Sequence, residues 1–86
     1  MPKVCEFDGI VIIMWSDDHP PPHLHARYGS DEAKIELFTG LVMAGRLPPA
    51  QLRQVQQWRR ARMWDLIKAW VRVRLGKTFK PPRPPG

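Results

Sequence analysis

Turns cut the first half of this chain so closely that only short strands fit between them. Asp8-Gly9, the proline-rich residues 16–22, Gly29-Ser30-Asp31 and Thr39-Gly40 separate five runs: Lys3–Phe7, Ile10–Trp15, His23–Tyr28, Glu32–Phe38 and Leu41–Arg46. Asp8-Gly9 is a strong two-residue hairpin signal, because a type I′ turn needs positive φ at both central residues. His23–Tyr28 alternates His, Leu, His, Ala, Arg, Tyr, the period of a half-buried strand. In Glu32–Phe38, Ala33, Ile35 and Leu37 share one face, and Lys34 and Glu36 share the other. Connections this short join antiparallel neighbours, so the first half predicts a five-stranded meander. Pairing with Tyr28 opposite Ala33 would set His25 against Glu36 and Arg27 against Lys34.

The second half obeys a different period. From Ala50 to about Leu75 there is neither glycine nor proline, and Gln, Arg, Ala and Leu dominate. Pro48-Pro49 suits a helix entry, where a missing N–H costs little. Leu52, Val55 and Trp58 form one apolar stripe; Met63, Leu66, Ile67, Trp70 and Val73 form another, rotated about the axis. A straight helix would put Arg59 near the middle of the later stripe, so a break is expected around Arg60–Trp64. Gly76 is a natural stop. The fold class is therefore α+β: a five-stranded antiparallel meander followed by two C-terminal helices, or one kinked helix, in a two-layer sandwich. Residues 1–76 make one domain. Residues 77–86, with four prolines, cannot form a core and are expected as a basic, extended or disordered tail.

Cys5 is the single cysteine, which excludes an intrachain disulfide and a cysteine-based zinc site and fits a reducing cytoplasm. Met1-Pro2-Lys3 leads into a strand rather than a signal peptide, and no apolar run approaches membrane-spanning length. A cytoplasmic location with no membrane partner is expected. The charge is divided unevenly. Residues 1–45 hold three cations against seven acids, net −4, while residues 46–86 hold eleven cations against Asp65 alone, net +10. A block this basic attracts phosphate backbones, anionic lipid or an acidic protein, or else is a solvated helix face.

All three histidines fall in one stretch, Asp17-Asp18-His19-Pro20-Pro21-Pro22-His23-Leu24-His25. Imidazole titrates near neutrality and is a common metal ligand. The prolines fix φ and stiffen the support on which these rings sit. His23 and His25, two apart on a strand, project from the same face. With Glu36 across the sheet to orient one of them, they are candidate catalytic groups, and Arg27 and Lys34 beside them are candidate nucleic-acid or partner contacts that would stabilise phosphate charge. A metal site of His19, His23 and His25 is a weaker reading, because their spacing matches no strong zinc signature. The plainer alternative is a polar sheet face with one cross-strand ion pair. Asp17 and Asp18 are candidate ligands or acid–base groups, but acids before a proline-rich turn more often bind local N–H groups. No cofactor is implied.

The basic helices interleave arginine with tryptophan. Arginine beside exposed aromatics suits single-stranded RNA, stacking bases while neutralising phosphates. Arg53, Arg59, Arg60 and Arg72 are candidate contacts for nucleic acid or a partner. Trp58 and Trp70 lie on the apolar stripes, which leaves Trp64 as the candidate stacking or anchoring residue.

In order, these pieces resemble a bacterial family, the domain of unknown function numbered 4160. The resemblance rests on Asp18–His25, with one extra proline, on Glu32–Ile35, Thr39-Gly40 and Gly45–Pro48, and on Trp58 and Trp70. It covers about residues 1–75. It implies a small cytoplasmic protein, often encoded beside a second small protein in toxin–antitoxin-like pairs, and no established activity. The helices here are more arginine-rich than the family leads one to expect. Two functional classes follow. One is a toxin–antitoxin-like component that binds RNA or DNA through its helices, in an enzymatic version with His23 or His25 as base toward a 2′-hydroxyl. The other is a non-catalytic module docking an acidic partner encoded nearby. A metal-binding protein is a third reading.

Overall fold

The computed structural model describes residues 3–86; Met1 and Pro2, and the reading of the chain's start, lie outside the described residues. Five strands follow one another: β1 (Lys3–Phe7), β2 (Ile10–Ile13), β3 (His23–Tyr28), β4 (Asp31–Glu36) and β5 (Val42–Gly45). Each pairs antiparallel with its chain neighbours, in the spatial order β1-β2-β3-β4-β5. Two helices complete the chain, α1 (Pro49–Ala61) and α2 (Met63–Arg74). The expected α+β meander with two C-terminal helices is the observed architecture.

The turns account for the topology. Asp8 and Gly9 take φ of 50° and 78°, the paired positive values that a type I′ hairpin requires. Between β3 and β4 the connection is tighter than the sequence suggested. Only Gly29 and Ser30 lie outside the strands, and Tyr28 pairs with Asp31 rather than Ala33. The register therefore differs from expectation by two residues. A shift of two keeps every side chain on its face and changes only its partner. His25 thus lies opposite Lys34, Arg27 opposite Glu32, and Glu36 opposite His23. The expected His25–Glu36 and Arg27–Lys34 pairs are corrected accordingly.

One sheet face carries Ile10, Ile12, Leu24, Ala26, Ala33 and Ile35, all fully buried. Against them pack Val55 and Trp58 of α1 and Leu66, Ala69, Trp70 and Val73 of α2, forming one core. The Phe7 and Trp58 rings meet at 5.0 Å between centroids, tying the first strand to α1. Each such large apolar side chain contributes roughly 2 kcal/mol by leaving water. The break between helices falls at Arg62, whose φ of −118° and ψ of 21° leave the helical region. That residue ends α1 by donating its N–H to the Trp58 carbonyl and starts α2 by accepting from the Leu66 N–H. The break lets both apolar stripes face the sheet. Past α2, Gly76 N–H reaches the Val73 carbonyl and Lys77 N–H the Arg72 carbonyl, the paired bonds of a Schellman ending.

Residues 77–86 form neither helix nor strand. They lie in extended form against the helices: Pro82 is buried, Phe79 packs on the core, and Trp58 Nε1–H donates to the Arg83 carbonyl at 2.6 Å. No helix among the described residues is long and apolar enough to cross a membrane.

Gly45 tests the packing of β5. Its φ is +73°, and a Cβ there would overlap the carbonyl oxygen of Glu32, a backbone atom that also accepts the Arg46 N–H at 3.0 Å. Gly45→Ala should cost on the order of 3 kcal/mol in urea unfolding. Gly29→Ala, where a Cβ meets nothing within 4 Å, should cost only the left-handed strain, about 1 kcal/mol. Equal losses at the two sites would contradict this packing.

Candidate functional site

The second sheet face is where the histidines stand. His23 and His25 project from β3 on the side away from the helices, with Arg27 further along the same face. Ile13, opposite His25 on this face, is fully buried, so the rings rest beside apolar ground. His23 is itself only 1% exposed, and the two rings meet edge to face at 5.2 Å.

The loop entering β3 brings a carboxylate to them. Asp18 N–H donates to the Trp15 carbonyl, closing a turn, and Asp18 Oδ2 accepts the Trp15 N–H at 2.9 Å. The other oxygen, Oδ1, lies 3.5 Å from His23 Nε2 and 3.4 Å from His25 Nε2. Asp18 thus performs the expected turn role with one oxygen and faces both imidazoles with the other. Asp17 is exposed and takes no part. The Pro20–Pro21 peptide is cis, and Pro21 turns its carbonyl onto His23 Nδ1 at 2.8 Å. A carbonyl only accepts, so Nδ1 carries hydrogen, and His23 Nε2 is left buried with no hydrogen-bond partner. On the other ring, His25 Nδ1 lies 3.5 Å from Glu32 Oε2, and Glu32 Oε1 also takes the Arg27 guanidinium at 3.0 Å.

Asp18, His23 and His25 each offer a ligand atom, all within 4.8 Å of one another. His19, expected beside the other two histidines, is exposed and stands outside this group. Asp18 takes the position that His19 was expected to hold.

Glu36 serves a different purpose. Its carboxylate accepts the backbone N–H groups of Phe38 at 2.9 Å and Thr39 at 2.8 Å, together with the Thr39 hydroxyl. Burial alone would raise this carboxyl; the Thr39 hydroxyl, the two N–H groups and the Arg59 charge outweigh it and hold it below the ordinary range. Glu36 therefore fastens the β4–β5 turn, and Asp18 and Glu32 are the carboxylates beside the rings.

Of the expected binding residues, Arg53, Arg60 and Arg72 are exposed, and Trp64 is 67% exposed at the start of α2. Lys34 is half-buried opposite His25. Arg59 is buried: Nη1 donates to the Leu37 carbonyl and Nε to Gln56 Oε1, each at 2.8 Å. Burial lowers its pKa, as does the neighbouring Arg60 charge, while Glu36 opposes them. Arg59 thus joins α1 to the β4–β5 turn and is unavailable to a surface ligand. Cys5 is buried, and burial pushes its thiol up, away from thiolate chemistry.

A cleft of about 340 Å³ between α2 and the tail collects Arg62, Lys68, Arg72, Lys80 and Arg83 around Asp65. The sequence pointed to the helices but not to this cleft, since nothing in a proline-rich terminus showed that it would dock. Arg62 Nε and Arg72 Nη1 reach the tail carbonyls of Arg83 and Thr78 at 3.4 and 3.3 Å.

These features define a small α+β domain with a proline-braced Asp/His/His cluster on one face and a basic helical layer on the other. The family model described as Domain of unknown function (DUF4160) matches residues 9–71, and the chain belongs to that family. No curated protein and no solved structure matches it.

The Glu36 contacts carry a pH dependence. A carboxyl held low in the folded state contributes stability that is present above its unfolded pKa and is lost as pH falls through its folded value. Urea unfolding of wild type and Glu36→Gln should therefore differ most near neutrality and converge as pH falls below about 4. A difference independent of pH would contradict the assigned role.

Proposed function

We propose that this protein binds single-stranded nucleic acid, RNA foremost, along α2 and the tail, as the nucleic-acid-contacting member of a toxin–antitoxin-like pair. The supporting observation is a contrast in charge pairing. On the sheet, Lys3 pairs with Glu6 and Arg27 with Glu32, both at 3.0 Å. Among the described residues no cation of the helices or tail is in an ion pair, although Arg53, Arg60, Lys68, Arg72, Arg74, Lys77, Lys80 and Arg83 are all exposed.

Unneutralised cations on one surface raise the local concentration of phosphates and release counterions when phosphates bind. The cleft between α2 and the tail gathers five of them. Trp64 stands exposed one helical turn before Lys68 and offers a stacking surface that any base can use. His23 and His25 lie on the far side of the sheet, so the proposed binding does not draw them into chemistry on a strand held at the helices. A cytoplasmic setting belongs to the same reading, supported by the single buried cysteine.

Fluorescence anisotropy with a labelled single-stranded RNA tests this. Binding at low salt should weaken with a log–log salt slope of about −3, as four or five neutralised phosphates imply. Joint replacement Lys68→Glu and Arg72→Glu should lower affinity at least tenfold and flatten the slope. Trp64→Ala should lose about 1–3 kcal/mol with the slope kept. No binding at low salt would overturn the proposal and assign the surface to an acidic protein partner.

A further inference from the structure

Hydrogen bonding explains only part of the Asp18, His23 and His25 cluster: His25 Nε2 lies within hydrogen-bond distance of Asp18 Oδ1 at 3.4 Å, whereas the buried His23 Nε2 has no partner. The His23 Nδ1–H is committed to the Pro21 carbonyl, so in the neutral ring the lone pair of Nε2 points toward Asp18 Oδ1. Two acceptors would then face each other at 3.5 Å in a buried place. A buried polar atom without a partner costs about 1–3 kcal/mol. A proton between them would draw the pair together, because charge-assisted N–H···O contacts run at about 2.7–2.9 Å. The separations to the two imidazoles are 3.5 and 3.4 Å, too long for that and nearly equal.

These two separations suit a shared ion, and all three ligand atoms lie within 4.8 Å of one another, close enough to converge on it. With metal–nitrogen and metal–oxygen bonds of about 2.0–2.2 Å, two ligands on a tetrahedral ion lie about 3.3–3.5 Å apart. We propose that Asp18 Oδ1, His23 Nε2 and His25 Nε2 bind one divalent transition-metal ion of the imidazole-preferring class, with zinc the leading member. Three protein ligands leave a fourth position for water or an incoming group. Both imidazoles present Nε2, and each ligand is steadied from behind. Pro21 holds His23 through Nδ1, Glu32 stands at His25 Nδ1, and the Trp15 N–H holds the second oxygen of Asp18. Partners of this kind fix ring orientation and tautomer at metal sites. The buried Ile13 beside the rings lowers the local polarity, which strengthens attraction between a carboxylate and a cation.

The stiffness of the support adds to this. Two ligands sit on a central strand paired on both sides, and the third sits in a turn closed by its own backbone and side chain. Little ordering remains to be done when an ion arrives.

The probe is cobalt(II), whose visible absorption reports coordination, followed by displacement with zinc. Tag-free full-length protein, stripped with chelator, should take up one equivalent, with intense bands of tetrahedral type that zinc abolishes. Asp18→Asn and His25→Gln should each weaken cobalt binding at least tenfold while circular dichroism shows the fold retained. His19→Ala should leave it unchanged. Absence of cobalt or zinc uptake at micromolar concentration, or equal affinity in all three variants, would overturn the site. RNA affinity of the metal-free protein is read separately, because the helical surface does not contain these ligands.

Discussion

Leu37 holds three parts of this molecule together through its own peptide groups. Its N–H donates to the Pro22 carbonyl at 2.9 Å, extending the β3–β4 ladder into the proline loop. Its carbonyl accepts Nη1 of the buried Arg59 at 2.8 Å, joining the sheet to α1. Beside it, Glu36 gathers the N–H groups of Phe38 and Thr39, and Gln56 Nε2 donates to the Gly40 carbonyl at 2.7 Å. Buried backbone groups must find partners, and here the partners span the proline loop, the strand end and the helix. A displacement of this corner would move the histidine support and the helical layer together.

From that corner the chain divides electrostatically. On the sheet Lys3 pairs with Glu6 and Arg27 with Glu32, and the histidine face presents two carboxylates among imidazoles and a guanidinium. Among the described residues the cations of the helices and tail are in no ion pair. Both faces serve one small domain because the core lies between them, shared by the inner sheet face and the two apolar helix stripes. The uneven charge of the two chain halves is thus separated in space.

Much of this architecture can be read from residue types. Asp8-Gly9 admits few conformations, and the break at Arg62 follows from two apolar stripes that one straight helix could not bury together. The register between β3 and β4 was less legible, because Gly29-Ser30-Asp31 is compatible with a longer loop as well as the two-residue turn that forms. That difference of two residues separated Glu36 from His25 and brought Glu32 near it instead. Arg59 differs from the exposed contact its sequence suggests, for a physical reason. Its long side chain buries its stem and finds a carbonyl, which composition cannot distinguish from solvent exposure. Asp18 showed its turn role in the sequence, whereas its second oxygen acquires meaning only once β3 places both imidazoles over it. The docking of the tail depends on Trp58 finding the Arg83 carbonyl, a contact across twenty-five positions that no local pattern signals.

The histidine face rests on one assignment: His23 donates from Nδ1 to Pro21 and keeps a bare Nε2 toward Asp18. Nitrogen-15 correlation spectra of the imidazoles in metal-free protein, recorded above about pH 8 where imidazole is ordinarily neutral, read that tautomer directly. The account predicts a protonated Nδ1 and a pyridine-like Nε2 for His23. A proton on Nε2 of the neutral ring, or a ring protonated at both nitrogens under those conditions, would contradict it.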